Sequence, residues 1–498
     1  MSHLFEQKYG NDLLTKPSSI VIIILVIVMM GLIIVKGGLI AGIGLFLLPF
    51  IVTFLYLVFM IPRTGLIAVY IANFLAIGLT RYLKGIPLGL SIDMLLFLTY
   101  ISLFLMSFFK KIPWKNGKND LVLLSAIWYL YTIFELFNPE AVSRTAWFYA
   151  MRGVSLYMLL IIPLIFILFN KKKDIDLFLK IWAILSIMGT LKGIMQKYFG
   201  VDPFEQAWLN EGNYKTHVLF GKLRVFSFYS DAGQFGASQG LTGVIFLILS
   251  FNKKLPKKTK IFYLVTSFLG FYGLMISGTR GAMAVPIMGF ALYIILRKNF
   301  KVMIVGAILG LSVIIFFKYT TIGQGNYSIR RMRTAFNPTE DASYLVRRAN
   351  QKKLSNYLAA RPFGGGIGSA GNWGLRFTPN TFLANTPTDS WYVMIWAEQG
   401  VVGLALHLFI LLYILGKSMF FIFFRIKNEE IRNIMCAFTS GYWGIMVASY
   451  GNGVLGQMPT GIVIYTCMVY MFMGPKLDKE ETEKQIRQKK LNKKTKQQ

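Results

Sequence analysis

Apolar and polar positions along the 498-residue chain come in long blocks rather than in single alternation. Runs of roughly 17 to 25 predominantly apolar residues, each long enough as a helix to cross a bilayer core, recur along nearly the whole chain. The pattern places spans at about 19–35, 39–61, 65–80, 88–109, 121–137, 153–169, 177–199, 233–251, 261–278, 281–297, 302–318, 391–424, 433–450 and 460–474, twelve to fourteen in all. A membrane β-barrel would instead show alternating segments of about ten residues, and these are absent. The expected fold is all-α and polytopic.

One polar stretch has its own periodicity. Residues 340–361, "EDASYLVRRANQKKLSNYLAAR", read as a helix on the membrane surface, capped by Asp341 or Ser343, with Leu354, Tyr357 and Leu358 on one side. Pro362 stops it, and the glycine-rich "FGGGIGSAG" follows. Such a turn lets backbone amides approach an anion or a sugar closely, or serves as flexible linkage.

Composition sharpens the class. With 55% hydrophobic and 15% charged residues and a mean hydropathy of +0.54, the chain is too apolar for a soluble globule. The net charge of +31 would point to nucleic acid in a soluble protein, but here the lysines cluster at 110–118, 171–173, 253–260, 297–301 and 476–496. These fall on one face if the spans alternate, which makes that face and both termini cytoplasmic. Residues 1–474 then form one membrane domain and 475–498 a basic, disordered tail. The first apolar run lacks a cleavage site and is expected to remain as a span. Asp174 and Asp176 in "KKKDID" are read as part of a solvated loop. Cys436 and Cys467 fall inside spans as buried thiols, and His3, His217 and His407 show no ligand spacing, so no metal or other cofactor is expected.

The opposite face carries the long loops 200–232 and 319–390, and there the cations change type. The second loop has seven arginines against two lysines. Arginine grips phosphate oxygens in pairs through a planar fork, whereas lysine is a hydrated point charge. Arg280 in "MISGTRGAM" and Arg224 in "GKLRVFSFYSDAGQFG" stand at membrane edges on the same side, where a guanidinium must be paired, snorkelled or functional. An acid, Asp389, stands at the mouth of the span in "TPTDSWYVMIWAEQGVVG", either as a functional carboxylate or as a helix cap. Phe226, Phe228, Tyr229, Trp373, Trp391 and Tyr392 lie near the outer mouth, as interface anchors or sugar-stacking rings.

The order of Arg224 with its aromatic run, "SGTRG", a long outer loop ending in "RPFGGGIG", and "DSWYVMIWAEQGVVG" resembles the O-antigen ligase and polymerase superfamily over residues 220–405. The resemblance implies a GT-C-like glycosyltransferase of the bacterial inner membrane, with undecaprenyl-pyrophosphate-linked saccharides as donor and acceptor, membrane lipid around it, no nucleic acid, and a chain-length regulator protein as a further partner. Position by position, it puts Arg280 on the family's arginine after the small-residue break and Arg347 or Arg348 on the arginine before the loop proline. Gly364, Gly366 and Gly368 fall on the glycine loop, and Glu398 with Gly400 on the E-x-G. Asp389 stands where ligases of the family carry a histidine. The implied catalytic set is Asp389, Arg280 and Arg347; Arg224, Arg348, Arg361, Tyr392, the three glycines and Glu398 are implied to bind substrate. Asp389 would assist the acceptor hydroxyl, and arginines would stabilise the departing pyrophosphate in an inverting displacement that requires no divalent metal. The missing histidine favours a repeat-unit polymerase. A ligase acting on lipid A-core or protein is the alternative, and a flippase for lipid-linked saccharide is the rival of another class.

Overall fold

The computed structural model describes residues 17–495 apart from 84, 86, 220, 299, 326 and 335–341. The chain is helical almost throughout: α1 Pro17–Met60, α2 Pro62–Leu79, α3 Leu90–Ser107, α4 Asp120–Phe134, α5 Arg144–Met151, α6 Tyr157–Leu168, α7 Lys172–Tyr198, α8 Pro203–Trp208, α9 Tyr214–His217, α10 Ala232–Ser250 and α11 Lys257–Ser277. There follow α12 Ala284–Arg297, α13 Phe300–Tyr319, α14 Tyr327–Arg333, α15 Ala342–Leu358, α16 Gly371–Phe377, α17 Trp391–Phe420, α18 Glu429–Ala448 and α19 Thr460–Thr495. Among the described residues the strands are one short antiparallel hairpin, β1 Val218–Leu219 with β2 Lys222–Leu223, pairing Val218 with Leu223.

Ten helical segments among the described residues are long and apolar enough to cross a membrane, against the twelve to fourteen expected. The difference has three sources. The expected spans 19–35 and 39–61 form the single helix α1, broken at Gly38 with φ 62°, whose apolar part Gly44–Met60 is short. The apolar part of α13, Gly306–Tyr319, is short as well. Finally α18, which begins with Glu429, Glu430, Arg432 and Asn433, is helical but not apolar enough.

Two compact units are distinguished: Met1–Gly65 with Leu98–Lys110, and Leu66–Phe97 with Lys111–Gln498. The second holds every residue of the candidate site. Its core is α10, buried along nearly its whole length and flanked by α7, α11, α12 and α18. Small residues permit this close approach, as expected where lipid offers no hydrophobic drive between helices. A methyl group on Gly270 of α11 would stand 2.8 Å from the Gln239 carbonyl and the Gly243 nitrogen of α10.

Three sequence expectations are corrected here. Residues 475–498 were expected to be disordered, yet α19 runs through Pro475 to Thr495, with 496–498 outside the described residues. Leu477 is fully buried, and the Asp478 carboxylate accepts from the backbone of Lys427 (3.0 Å) and Asn428 (2.6 Å) ahead of α18. The ion pairs Lys476–Glu480 and Lys484–Glu481 fall at helical spacing. Asp174 is no solvated loop residue: it is buried in the first turn of α7, where its carboxylate accepts from the Lys171 amide at 2.9 Å. The helix expected at 340–361 is α15, one turn shorter at its end; its proposed cap Asp341 lies outside the described residues.

Candidate functional site

Helix α15 positions the first arginine. Leu354 and Leu358 join Ala370, Leu383, Val393 and Ala397 in a small core with Tyr357 and Trp396 against it, so the apolar face read from the sequence is the packed one. One turn back, Asn350 donates to the Pro387 carbonyl at 3.4 Å. Residues 347, 350, 354 and 358 share this face of a 3.6-residue helix, which turns Arg347 toward the segment before α17 and leaves Arg348 exposed.

That segment presents Asp389. The cap of α17 is Ser390, whose hydroxyl accepts from the Val393 amide at 3.4 Å, so the capping role considered for Asp389 belongs to its neighbour. Asp389 instead adopts φ 50°, in the left-handed region that a non-glycine residue occupies at a cost. Its carboxylate faces Arg347 Nε at 3.5 Å, with the two side chains 45% and 37% exposed. The turn is fixed from the other side, since the Trp391 amide and the Ser390 hydroxyl both donate to the Ser449 carbonyl at 3.0 and 3.3 Å.

From Ser449 the chain leads back to the other arginines. A methyl group on Gly451 would lie 3.4 Å from Gly281 Cα and 4.0 Å from Arg347 Nη1, which places the Arg347 guanidinium beside the Arg280 hairpin. Arg280 Nη1 donates to the Thr334 hydroxyl at 2.8 Å. Arg224 reaches the same hairpin, donating to Thr279 Oγ1 at 3.4 Å and to the Thr216 carbonyl at 3.3 Å. Thr279 in turn donates to the Ala232 carbonyl at the start of α10, which Asp231 caps at 2.7 and 3.0 Å. An open series of approaches thus runs from Asp389 to Arg347, past Gly451 to the segment that carries Arg280, and on to Arg224 at Thr279.

Sequence reasoning missed a residue beside this series. The Asn452 side-chain nitrogen is buried with no hydrogen-bond partner among the described residues, and it lies 2.5 Å from where a methyl group on Gly281 would be. Its oxygen lies on the α10 side, 3.2 Å from a Cβ placed on Gly233. The glycine-flanked break "SYGNG" between two spans was the available signal.

Arg224 depends on the packing of the 200–232 loop. Arg81 lies over the rings of Trp208 (4.5 Å) and Phe226 (4.3 Å) and donates to the carbonyls of Ser227 and Tyr229. His217 is buried between Trp208 and Phe226, its ring nitrogens 2.9 Å from the Asn213 carbonyl and 3.2 Å from the Ser230 carbonyl. Burial pushes its pKa below the ordinary histidine value, against those carbonyls. The Arg224 amide donates to the His217 carbonyl at 2.8 Å, so this knot sets where Arg224 starts.

The remaining expected binding residues lie in other contacts. The Gly365 and Gly366 amides donate to the carbonyls of Ala397 (3.0 Å) and Glu398 (2.8 Å), and the Glu398 carboxyl accepts from the amide of Ala370 (3.2 Å). The amides expected to approach an anion or a sugar, or to serve as flexible linkage, are turned in part toward the chain itself, at Ala397 and Glu398. Its glycines permit close approach at positive φ. A methyl group on Gly364 (φ 73°) would meet the Gly400 nitrogen at 2.5 Å, and one on Gly368 (φ 83°) the Ala146 carbonyl at 2.6 Å. Gly400 (φ 65°) breaks α17 so that the Pro362 carbonyl can enter and accept from Val402 N at 3.2 Å. Arg361 is held by Glu140 at 3.0 Å and the Tyr357 carbonyl at 2.8 Å, and the Tyr392 hydroxyl by the Met446 carbonyl at 2.8 Å. Phe226, Tyr229 and Trp391 are buried, which leaves no free ring face for a sugar. Among the described residues no group of three His, Cys, Asp or Glu side chains is placed to hold a metal ion.

The geometry defines an almost wholly helical chain with helices long and apolar enough to cross a membrane, in which Asp389, Arg347, Arg280 and Arg224 lie on segments that approach one another. Residues 264–408 match a family model described as O-antigen ligase. The chain is also similar to an O-antigen polymerase of Salmonella muenchen, 28% identical over 202 residues that cover 38% of this chain and 45% of that relative. The chain thus spans less than half the length of the relative in that match. The segment matched by the family model holds Arg280, Arg347, Asp389 and the glycine loop.

Proposed function

We propose that this protein is a glycosyltransferase of the bacterial inner membrane that joins saccharide units carried on a polyprenyl diphosphate, working on the face opposite the lysine-rich loops. The observation that carries the reading is the series of approaches from Asp389 through Arg347 and Gly451 to the Thr279–Gly281 segment, which bears Arg280 and meets Arg224. In the proposed step an acceptor hydroxyl oxygen attacks the anomeric carbon of the donor sugar. The bond from that carbon to the diphosphate oxygen breaks, the hydroxyl proton passes to the Asp389 carboxylate, and polyprenyl diphosphate leaves with the bonding electron pair. Backside attack inverts the anomeric centre. Guanidinium groups fixed around the diphosphate gain more from the charge that develops there than from the bound substrate, which lowers the barrier. Arg347, paired with Asp389 at rest, orients the carboxylate and is ready to share its charge with the leaving group.

Of the two reactions in the superfamily, repeat-unit polymerisation is favoured by Asp389 standing where ligases carry histidine, and by the similarity to an O-antigen polymerase. Deletion of the gene tests this directly on a glycan gel. Loss of the length ladder with a single repeat unit still capping the acceptor supports polymerisation. Long carrier-linked chains that never reach their acceptor would show a ligase instead. Movement of lipid-linked saccharide between leaflets by the purified protein, without lengthening, would overturn the transferase reading.

A further inference from the structure

A second recognition surface stands apart from the arginine series. Tyr149 on α5 lies against Trp373 and Phe377 on α16, with ring centroids 5.1 and 5.4 Å away and planes 25° and 21° apart; Trp373 and Phe377 are 6.2 Å and 19° apart. Most other ring contacts among the described residues are tilted or edge-on, and other near-parallel ones, such as Trp128–Tyr131 and Tyr357–Phe382, each join two rings only. Tyr149, Trp373 and Phe377 thus form a near-parallel group of three rings. All three are only partly buried. Charge accompanies them: the Arg376 guanidinium lies 5.6 Å from the Tyr149 centroid and 5.2 Å from that of Phe377, and Arg152 lies 5.1 Å from Tyr149 while paired with Asp93 at 2.9 Å. Asn372 and Arg376 are exposed beside the rings.

We infer that Tyr149, Trp373 and Phe377, with Arg376 and Asn372 at their edge, form a saccharide-binding subsite that holds sugar units of the transferred glycan away from its reacting end. The inference rests on the transferase reading and deepens it. Sugar rings present flat C–H faces that stack on aromatic rings, and hydroxyl rims that accept from guanidinium and amide donors; a lipid tail uses neither rim donor. The position suits this occupant. A methyl group on Gly374 of α16 would be 3.3 Å from Ala384 Cα, and Asp389 follows five residues later, so this end of α16 lies within about 18 Å of chain reach of the proposed base. The subsite is held to the spans by the close approach of Gly368 to Ala146 of α5 and by the bond from Ala370 N to Glu398. On this view the glycine loop carries the platform and does not bind the diphosphate.

The test uses the full-length protein in lipid nanodiscs, with oligosaccharides of one, two and more repeat units released by mild acid from the host's own surface glycan. Binding is read by saturation-transfer NMR without turnover. Trp373→Ala and Tyr149→Ala are expected to weaken binding of the multi-unit oligosaccharides by about tenfold, as loss of a stacking platform does, whereas Trp373→Phe retains most of it. Arg376→Gln, on an exposed side chain, serves if the aromatic variants fail to fold, and it should weaken binding severalfold. Asp389→Ala should bind as wild type while making no polymer, so failure of the platform and failure of the transferase reading give different results. Wild-type binding by Trp373→Ala or by folded Arg376→Gln would overturn the proposal. So would a loss confined to nanodisc lipid contact, which would mark the rings as interface anchors.

Discussion

Arg347 Nε and Asp389 Oδ2 stand 3.5 Å apart, between the buried face of α15 and the turn that opens α17. Both side chains are more than one third exposed, and an ion pair so placed contributes little to folding. A left-handed aspartate held next to an arginine on a packed helix is better explained by chemistry than by stability. Asp389→Ala and Asp389→Asn are therefore expected to lower the rate of elongation by about 10²- to 10⁴-fold, with thermal unfolding of the purified protein little changed. Asp389→Glu should recover part of the rate.

The phase of α15 separates its two neighbouring arginines. Arg347→Ala is expected to cost about 10²- to 10³-fold in turnover, as loss of a preorganised charge does. Arg347→Lys should rescue it only in part, because a point charge does not replace the fork. Arg348→Ala, on the exposed face, should stay within a few-fold of wild type. Equal losses from both single substitutions would refute the assignment by helix phase.

Asn452 has a buried side-chain nitrogen with no hydrogen-bond partner among the described residues, beside Gly281. Asn452→Ala is expected to slow elongation by about tenfold, the worth of one hydrogen bond to a charged group. Gly281→Ala must push the amide aside and should reproduce much of that defect. Gly451→Ala has the 3.4–4.0 Å clearance of ordinary contact and should be milder. Kinetics on purified variants of matched melting temperature check this.

The glycine loop predicts a different signature. Gly400→Ala combines a positive φ with a collision against the Pro362 carbonyl, and Gly364→Ala a positive φ with a collision against Gly400. Each is expected to destabilise the protein by about 3–5 kcal/mol, read as lost expression and lower melting temperature. Glu398→Gln keeps an oxygen acceptor for Ala370 and should be milder than Glu398→Ala.

His217 predicts a pH dependence. Burial lowers its folded-state pKa, so on acidification through the ordinary histidine value near 6.5 the unfolded chain takes up a proton that the folded chain refuses. Its contribution to stability is present above that value and is lost as pH falls below it. Melting temperature should drop from about pH 7.5 to about pH 5.5, and His217→Gln should flatten that drop.

Much of this fold was legible because a bilayer imposes its own signal: long apolar blocks have few alternatives to helical spans. Leu354, Tyr357 and Leu358 gave the packed side of α15, and extending that face by helical phase would also have separated Arg347 from Arg348. The C-terminal stretch misled because its charge resembles a solvated tail, while the contacts that order its start, Leu477 and Asp478, are long-range. "FGGGIG" was open to an anion, a sugar or flexible linkage, since sequence shows that amides are free of Cβ cover but not which group they meet. Asn452 carried no periodicity; its role depends on two glycine-containing turns that lie far apart in sequence and meet only in the folded chain.

The most direct measurement follows polyprenyl diphosphate release and glycan length together, using purified protein in vesicles with synthetic lipid-linked repeat units. One lipid diphosphate released for each linkage formed by the wild type, with both signals lost together in Asp389→Ala and Arg347→Ala, is the predicted result. Elongation at wild-type rate by either variant, or transfer of the intact lipid-linked saccharide across the bilayer with no diphosphate released, would contradict it.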